Sequence, residues 1–158
     1  MRQAISNLVA MRETEGSNIY GDFIKRADLI AEKLAVIEER SPQVVEEYQT
    51  RLSDRINELL EKHNQVIEPE RLLQEVAIFA DRTSITEEIV RLKSHIKQFK
   101  LIIDADQPVG RKLDFLIQEF NREANTIASK ANDYTLAQVV VEIKAEIEKI
   151  REQIQNIE

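Results

Sequence analysis

Glu88, Arg91 and His95 follow one another at spacings of three and four residues, so any helix that carries them shows an acid, a guanidinium and an imidazole on one face. His95 is one of two histidines, and the chain has no cysteine. Thiol nucleophiles, Fe–S clusters, disulfides and cysteine-based zinc sites are therefore excluded, and any metal must be held mainly by carboxylates. Glu75 lies in a segment that is apolar almost all round, which Asp81-Arg82 closes. Two helices joined by a short turn could bring Glu75, Asp81, Glu88 and His95 together as hard oxygen ligands plus one imidazole, a set suited to Mg²⁺ or Mn²⁺. Such an ion could activate water and stabilise a phosphodiester under attack, with Glu75, Glu88 and His95 as the catalytic candidates. The same residues also read as a buried ion-pair network, Glu75 to Arg82 or Arg91 and Glu88 to Arg91. Spacing alone leaves both readings open. There is no HExxH, P-loop, GxGxxG, GxSxG or Asp-rich calcium loop, and His63 reads as a capping or surface residue.

Phosphate contacts have their own candidates. Residues 89–112 hold six basic residues against two acidic ones, an island of +4 in a chain whose net charge is −7. Lys93, Lys97 and Lys100, spaced four and three, share a helix face, and Arg111 and Lys112 return across a short loop. A phosphate-binding strip has this pattern, because each neutralised phosphate releases counterions. A solvated lysine face has it too. Further on, Asp114, Gln118, Asn121 and Asn125 form a stripe at spacings of four, three and four, with Thr126 and Ser129 beyond. Asn and Thr are mediocre helix formers, so these groups should have partners. They are either other helices and subunits, or the sugar, phosphate and base edges of a ligand in a polar groove.

The elements that must position these residues are helical throughout. With three glycines and three prolines in 158 residues, few tight turns are possible, and no segment alternates as a half-buried strand should. The spacing predicts an all-α, elongated bundle of about six helices with long heptad-patterned terminal helices, forming a single helical domain over residues 1–158. The first helix, through Tyr20, Phe23, Ala27, Ile30, Leu34 and Ile37, would be about 57 Å long at roughly 1.5 Å per residue. Ser41-Pro42 signals a second helix, Ser as N-cap and Pro at the first position, which His63-Asn64-Gln65 ends. A third opens at Glu68-Pro69-Glu70 and, apolar nearly all round, should be central and buried. Either Ser84 with Glu87 or Thr86 caps a fourth, striped by Ile89, Leu92, Ile96, Phe99 and Ile103. After a loop from Asp104 to Gly110, a fifth runs from about Arg111 to Asn132. The last carries Leu136, Val140, Ile143, Ile147, Ile150, Ile154 and Ile157 as a heptad seam. The terminal seams offer more apolar length than one small domain covers, which predicts a homo-oligomer. At 42% hydrophobic and 32% charged residues the chain can bury a core. Its apolar runs, such as Val76 to Ala80, are far too short to span a bilayer, and no signal peptide opens it, so a cytoplasmic protein without membrane contact is expected.

Longer stretches carry a resemblance. Glu70-Arg71-Leu72-Leu73-Gln74-Glu75-Val76-Ala77-Ile78-Phe79-Ala80-Asp81, then Ile85-Thr86-Glu87-Glu88-Ile89-Val90-Arg91-Leu92-Lys93-Ser94-His95, resembles the C-terminal region of the bacterial YicC/YloC family of stress-induced proteins. So does the stretch from Pro108-Val109-Gly110-Arg111-Lys112-Leu113-Asp114 to Phe120-Asn121-Arg122-Glu123-Ala124-Asn125-Thr126-Ile127, and Met11-Arg12-Glu13-Thr14-Glu15-Gly16 with the terminal Lys149 to Glu158 matches too. The resemblance implies an oligomeric, divalent-metal-dependent endoribonuclease acting on single-stranded RNA, with no small organic cofactor, and the family's N-terminal β-containing region is expected to be absent. On that reading Glu75, Asp81, Glu88 and His95 hold the metal or its water, while Arg91, Lys93, Lys97, Lys100, Arg111, Lys112 and Arg122 contact RNA. The competing expectation is a helical oligomerisation module without catalysis of its own. A pure scaffold needs neither the basic island nor buried acids.

Overall fold

The computed structural model describes residues 2–63, 68–105 and 109–157. Five helices account for nearly all of them: α1 (Arg2–His63), α2 (Pro69–Thr83), α3 (Thr86–Ile103), α4 (Gly110–Lys130) and α5 (Tyr134–Ile157). The all-α class is as expected, but the helix count is five rather than about six. The first two expected helices are one, with Pro42 inside it. An Ser-Pro pair suits a helix start, yet Ile37 and Val44, one heptad apart on either side of the proline, are both buried in the core. Arg40 braces the same stretch, giving two hydrogen bonds to Glu47 at 2.6 and 2.9 Å and reaching Asp133 at the head of α5 at 2.7 Å. Burial on both sides overrides a local cap signal. The expected helix end at Asn64-Gln65 and residues 106–108 of the expected 104–110 loop lie outside the described residues.

At 62 residues α1 is about 93 Å long at 1.5 Å per residue, which makes the molecule elongated as expected. Its middle third is the spine of a four-helix bundle in which α1 packs on α3 and α5, and α4 closes the ring between them. Phe23, Ala27, Ile30, Leu34, Ile37 and Val44 of α1 meet the α5 seam from Leu136 to Ile154, and every one of these positions is buried. Phe99 of α3 sits between Phe23, edge-on at 5.7 Å, and Phe120 of α4 at 5.8 Å. Tyr20 is exposed and belongs to the rim, its hydroxyl donating to Asp104. The terminal seams are thus consumed within one chain, which removes the observation that pointed to oligomerisation through them.

The third expected helix is also placed differently. Helix α2 has no buried residue and docks chiefly on the outer part of α1, beyond the bundle. Phe79 stacks flat on Tyr48 at 3.7 Å. Leu72, Val76, Phe79 and Ala80 are half-buried, whereas Leu73 and Ile78 face outward, 58% and 45% exposed. A helix that is apolar all round needs neighbours on every side, and within one chain α2 has them on one side. At the head of α3 neither expected cap forms. Buried Ile85 takes the N-cap position without a side-chain hydrogen bond.

Candidate active site

Helices α3 and α4 run antiparallel, and three polar pairs cross between them along one flank. Lys130 donates to Glu88 at 2.8 Å, Arg91 donates through Nε to Glu123 at 3.0 Å, and the His95 imidazole lies 3.9 Å from Glu119. The spacing of three and four read in the sequence does put Glu88, Arg91 and His95 on one face, and α4 supplies what they face. Glu88 and Glu123 are 3% and 2% exposed, and they are the charged residues in the described core. Arg91 joins them, reaching Glu88 at 3.3 Å and Glu87 at 3.1 Å besides Glu123. Burial pushes the Glu88 carboxyl up, but the Lys130 hydrogen bond, with the Lys130 and Arg91 charges, outweighs it and holds the group below its ordinary value. The hydrogen bond to Glu123 raises the Arg91 guanidinium in turn.

The third pair is different in kind. Both ring nitrogens of His95 are enclosed and have no hydrogen-bond partner among the described residues, since 3.9 Å to Glu119 is too long for one. Leaving enclosed polar atoms unmatched is costly, and an ordered water or a cation would satisfy them. One ligand atom each from His95, Glu119 and Glu123 lies within 4.8 Å of the others. Adjacent ligands of an octahedral Mg²⁺ or Mn²⁺ stand about 3 Å apart and opposite ones about 4 Å, so small side-chain rotations would close this set. One imidazole with two carboxylates suits those ions, and the residues present fit a divalent cation.

The four expected metal ligands are not brought together. Glu75 and Asp81 are exposed on α2, and neither joins a cluster of potential ligands among the described residues. Glu88 is engaged in the ion-pair network with Arg91 and Lys130, the alternative the sequence left open. Of the four, His95 is the one that lies among other potential ligands, Glu119 and Glu123. For Glu123 the sequence does carry a signal, for Glu119 none. Leu116, Phe120, Glu123 and Ile127, spaced four, three and four, form an inward stripe in which an acid replaces an apolar residue.

The lysine strip lies on the opposite flank of α3. Arg91 and Lys93, two residues apart, are roughly 200° apart around the helix, so Arg91 faces α4 while Lys93 faces α1. There Lys93 pairs with Glu38 and Lys100 with Asp28. Lys97, Arg111 and Lys112 are exposed and have no ion-pair partner among the described residues. Arg122 stands on the outer face of α4, 72% exposed and 3.4 Å from Glu119, beside the histidine cluster.

Residues 37–158 match a family model described as the C-terminal part of YicC-like endoribonucleases. The chain belongs to the YicC-like family. Over all 158 residues it is 52% identical to a probable endoribonuclease YicC of Clostridioides difficile (strain 630), covering 54% of that protein. Over 154 residues, 98% of the chain, it is 37% identical to a probable endoribonuclease YicC of Haemophilus influenzae, covering 52% of it. The chain spans about half the length of these curated relatives. The YicC-like region takes in α2 to α5 and the part of α1 from Ile37 onward, so the whole α3/α4 cluster and Arg122 fall within it.

Proposed function

We propose that this YicC-like chain is the helical, RNA-cleaving part of a divalent-metal-dependent endoribonuclease that acts on single-stranded RNA in the cytoplasm. The observation that carries the reading is the enclosed His95 imidazole, without a hydrogen-bond partner among the described residues and facing two carboxylates. His95, Glu119 and Glu123 hold the cation, Mn²⁺ or Mg²⁺, which when bound would lower the pKa of a water and stabilise charge on the phosphate. Arg91 fixes the Glu123 carboxylate through the Nε hydrogen bond, and Glu88 with Lys130 fixes Arg91. Arg122, exposed beside Glu119, offers a planar guanidinium to a phosphate, a geometry that favours two parallel hydrogen bonds. Lys97, Arg111 and Lys112 add a diffuse attraction for the RNA backbone that salt screens.

Incubation of the purified chain with a single-stranded oligoribonucleotide and Mn²⁺ should give cleavage that a chelator stops. Glu123→Gln keeps the size of the side chain and removes its charge. It should lower cleavage about a hundredfold or more, since even groups that merely hold a metal ligand are worth 10–100-fold, and abolish thermal stabilisation by Mn²⁺. No cleavage and no Mn²⁺ shift in the wild-type chain would reduce the cluster to an ion-pair network. The second reading, an interaction module, is favoured by one feature, the exposed Leu73 and Ile78 of α2 and Leu59 of α1. We place a homo-oligomer contact on this arm rather than on the buried seams.

A further inference from the structure

The polar stripe of α4 has no role in the cation cluster, because it runs along the other flank of the helix. Asn121 and Asn125 make no side-chain hydrogen bond among the described residues, and Gln118 bonds only to Asp114, one turn back on its own helix. The amides therefore do not tie helices together. They line a groove between α4 and α5 of about 560 Å³, bounded by Gln118, Asn121, Arg122, Asn125 and Thr126 on one side and Arg151 on the other. That volume falls within the range of roughly 300–1,000 Å³ typical of small-ligand sites. Among the described residues Arg151 makes only a loose pair with Glu148, at 3.7 Å and half-exposed.

We infer that this groove binds one nucleotide of a single-stranded RNA and reads its base. The inference rests on the endoribonuclease reading and names a separate subsite for the same substrate. A carboxamide offers one acceptor and two donors in a plane and can match the edge of an unpaired base bidentately. Two such groups one turn apart can hold a base by its edge. The guanidinium of Arg151 takes the flanking phosphate or stacks on the base. Arg122 belongs to both sites, lining the groove and lying 3.4 Å from Glu119 of the cation cluster. A strand crossing the outer face of α4 thus presents one base to the groove and the neighbouring phosphodiester to Arg122, at the edge of the cluster. Phe115, 60% exposed and two turns before Arg122 on that face, is placed to stack a further base. The side chains that rim the groove are amides, a hydroxyl and two guanidinium groups, which favours RNA over a protein partner, whose contacts would centre on aromatic and aliphatic anchors.

The test compares binding and cleavage of four labelled oligoribonucleotides that differ at one position near the cut, at fixed salt with Mn²⁺. The wild-type chain should distinguish them by about tenfold between best and worst base, the discrimination expected of one good bidentate contact. Asn121→Leu with Asn125→Leu should flatten that ratio to within about twofold while retaining cleavage, and Asn121→Gln with Asn125→Gln should restore part of it. Thermal unfolding of each variant separates loss of reading from loss of fold. An unchanged base ratio in the folded leucine variant would overturn the inference while leaving the nuclease reading intact. A wild-type chain that neither binds nor cleaves RNA would overturn both. A leucine variant that changes sedimentation but not base preference would make the groove a contact between proteins, which also overturns it.

Discussion

Arg91 is half-exposed, yet it determines how two buried carboxylates are tolerated. An isolated carboxylate in an apolar interior costs several kcal/mol, so Glu88 and Glu123 need cations beside them, and α3 and α4 supply one each. The pH consequence has a definite sign. Glu88 titrates below the usual value near 4.5, so the folded state binds its proton less readily than the unfolded chain. Its stabilising contribution is complete above about 4.5 and is lost as pH falls through the depressed folded value. Lys130→Met removes the hydrogen bond that opposes burial, so the Glu88 pKa should rise and the acid limb of a thermal-stability profile should begin at higher pH. The variant should also lose about 1–3 kcal/mol at neutral pH, the usual cost of stripping a partner from a buried charged group. A superimposable profile would show that Arg91 alone suffices.

Proline in a helix interior typically costs about 3 kcal/mol, and α1 carries Pro42 there because burial on either side and the Arg40 brace make any break costlier. Its ring removes an N–H that would bond the Glu38 carbonyl. Pro42→Ala should stabilise the chain by about 1–2 kcal/mol by chemical denaturation, less than the full penalty because proline also restricts the unfolded chain. Destabilisation would show that the chain bends usefully at this point. Helix α2 makes the complementary point. It is held by the Tyr48–Phe79 stack and one apolar face, so it should be the least protected helix. Phe79→Ala should speed hydrogen exchange in α2 while leaving α3 to α5 unchanged.

The molecule as a whole divides into a closed bundle and a projecting arm. No helix among the described residues is long and apolar enough to cross a membrane. Inside the bundle Ile147 is fully buried, and a charge there costs as much as much of the 5–15 kcal/mol that holds a typical domain together, so Ile147→Asp should unfold the chain. On the arm, Leu73→Glu with Ile78→Glu adds charge to exposed positions. It should leave the melting temperature within about 2 °C of wild type, in keeping with surface changes of about 0.5 kcal/mol, and lower the sedimentation coefficient if copies meet there. An unchanged coefficient would return the contact to another surface.

Much of this was legible in the residues alone. Helical periodicity, scarce glycine and proline, and the stripes of α3, α4 and α5 determined the all-α class and nearly the whole core, because each helix must bury its own apolar face whatever it meets. The shared face of Glu88, Arg91 and His95 follows from 3.6 residues per turn, and the family resemblance from contiguous stretches. Tertiary structure decided what each face meets. It alone paired α3 with α4 instead of α2, which exchanged Glu75 and Asp81 for Glu119 and Glu123 around His95. It turned Lys93 and Lys100 to the acids of α1, and it left the α4 amides facing a groove. A side chain's direction around its helix is local geometry, whereas the identity of the neighbouring helix depends on how five apolar faces close on one another.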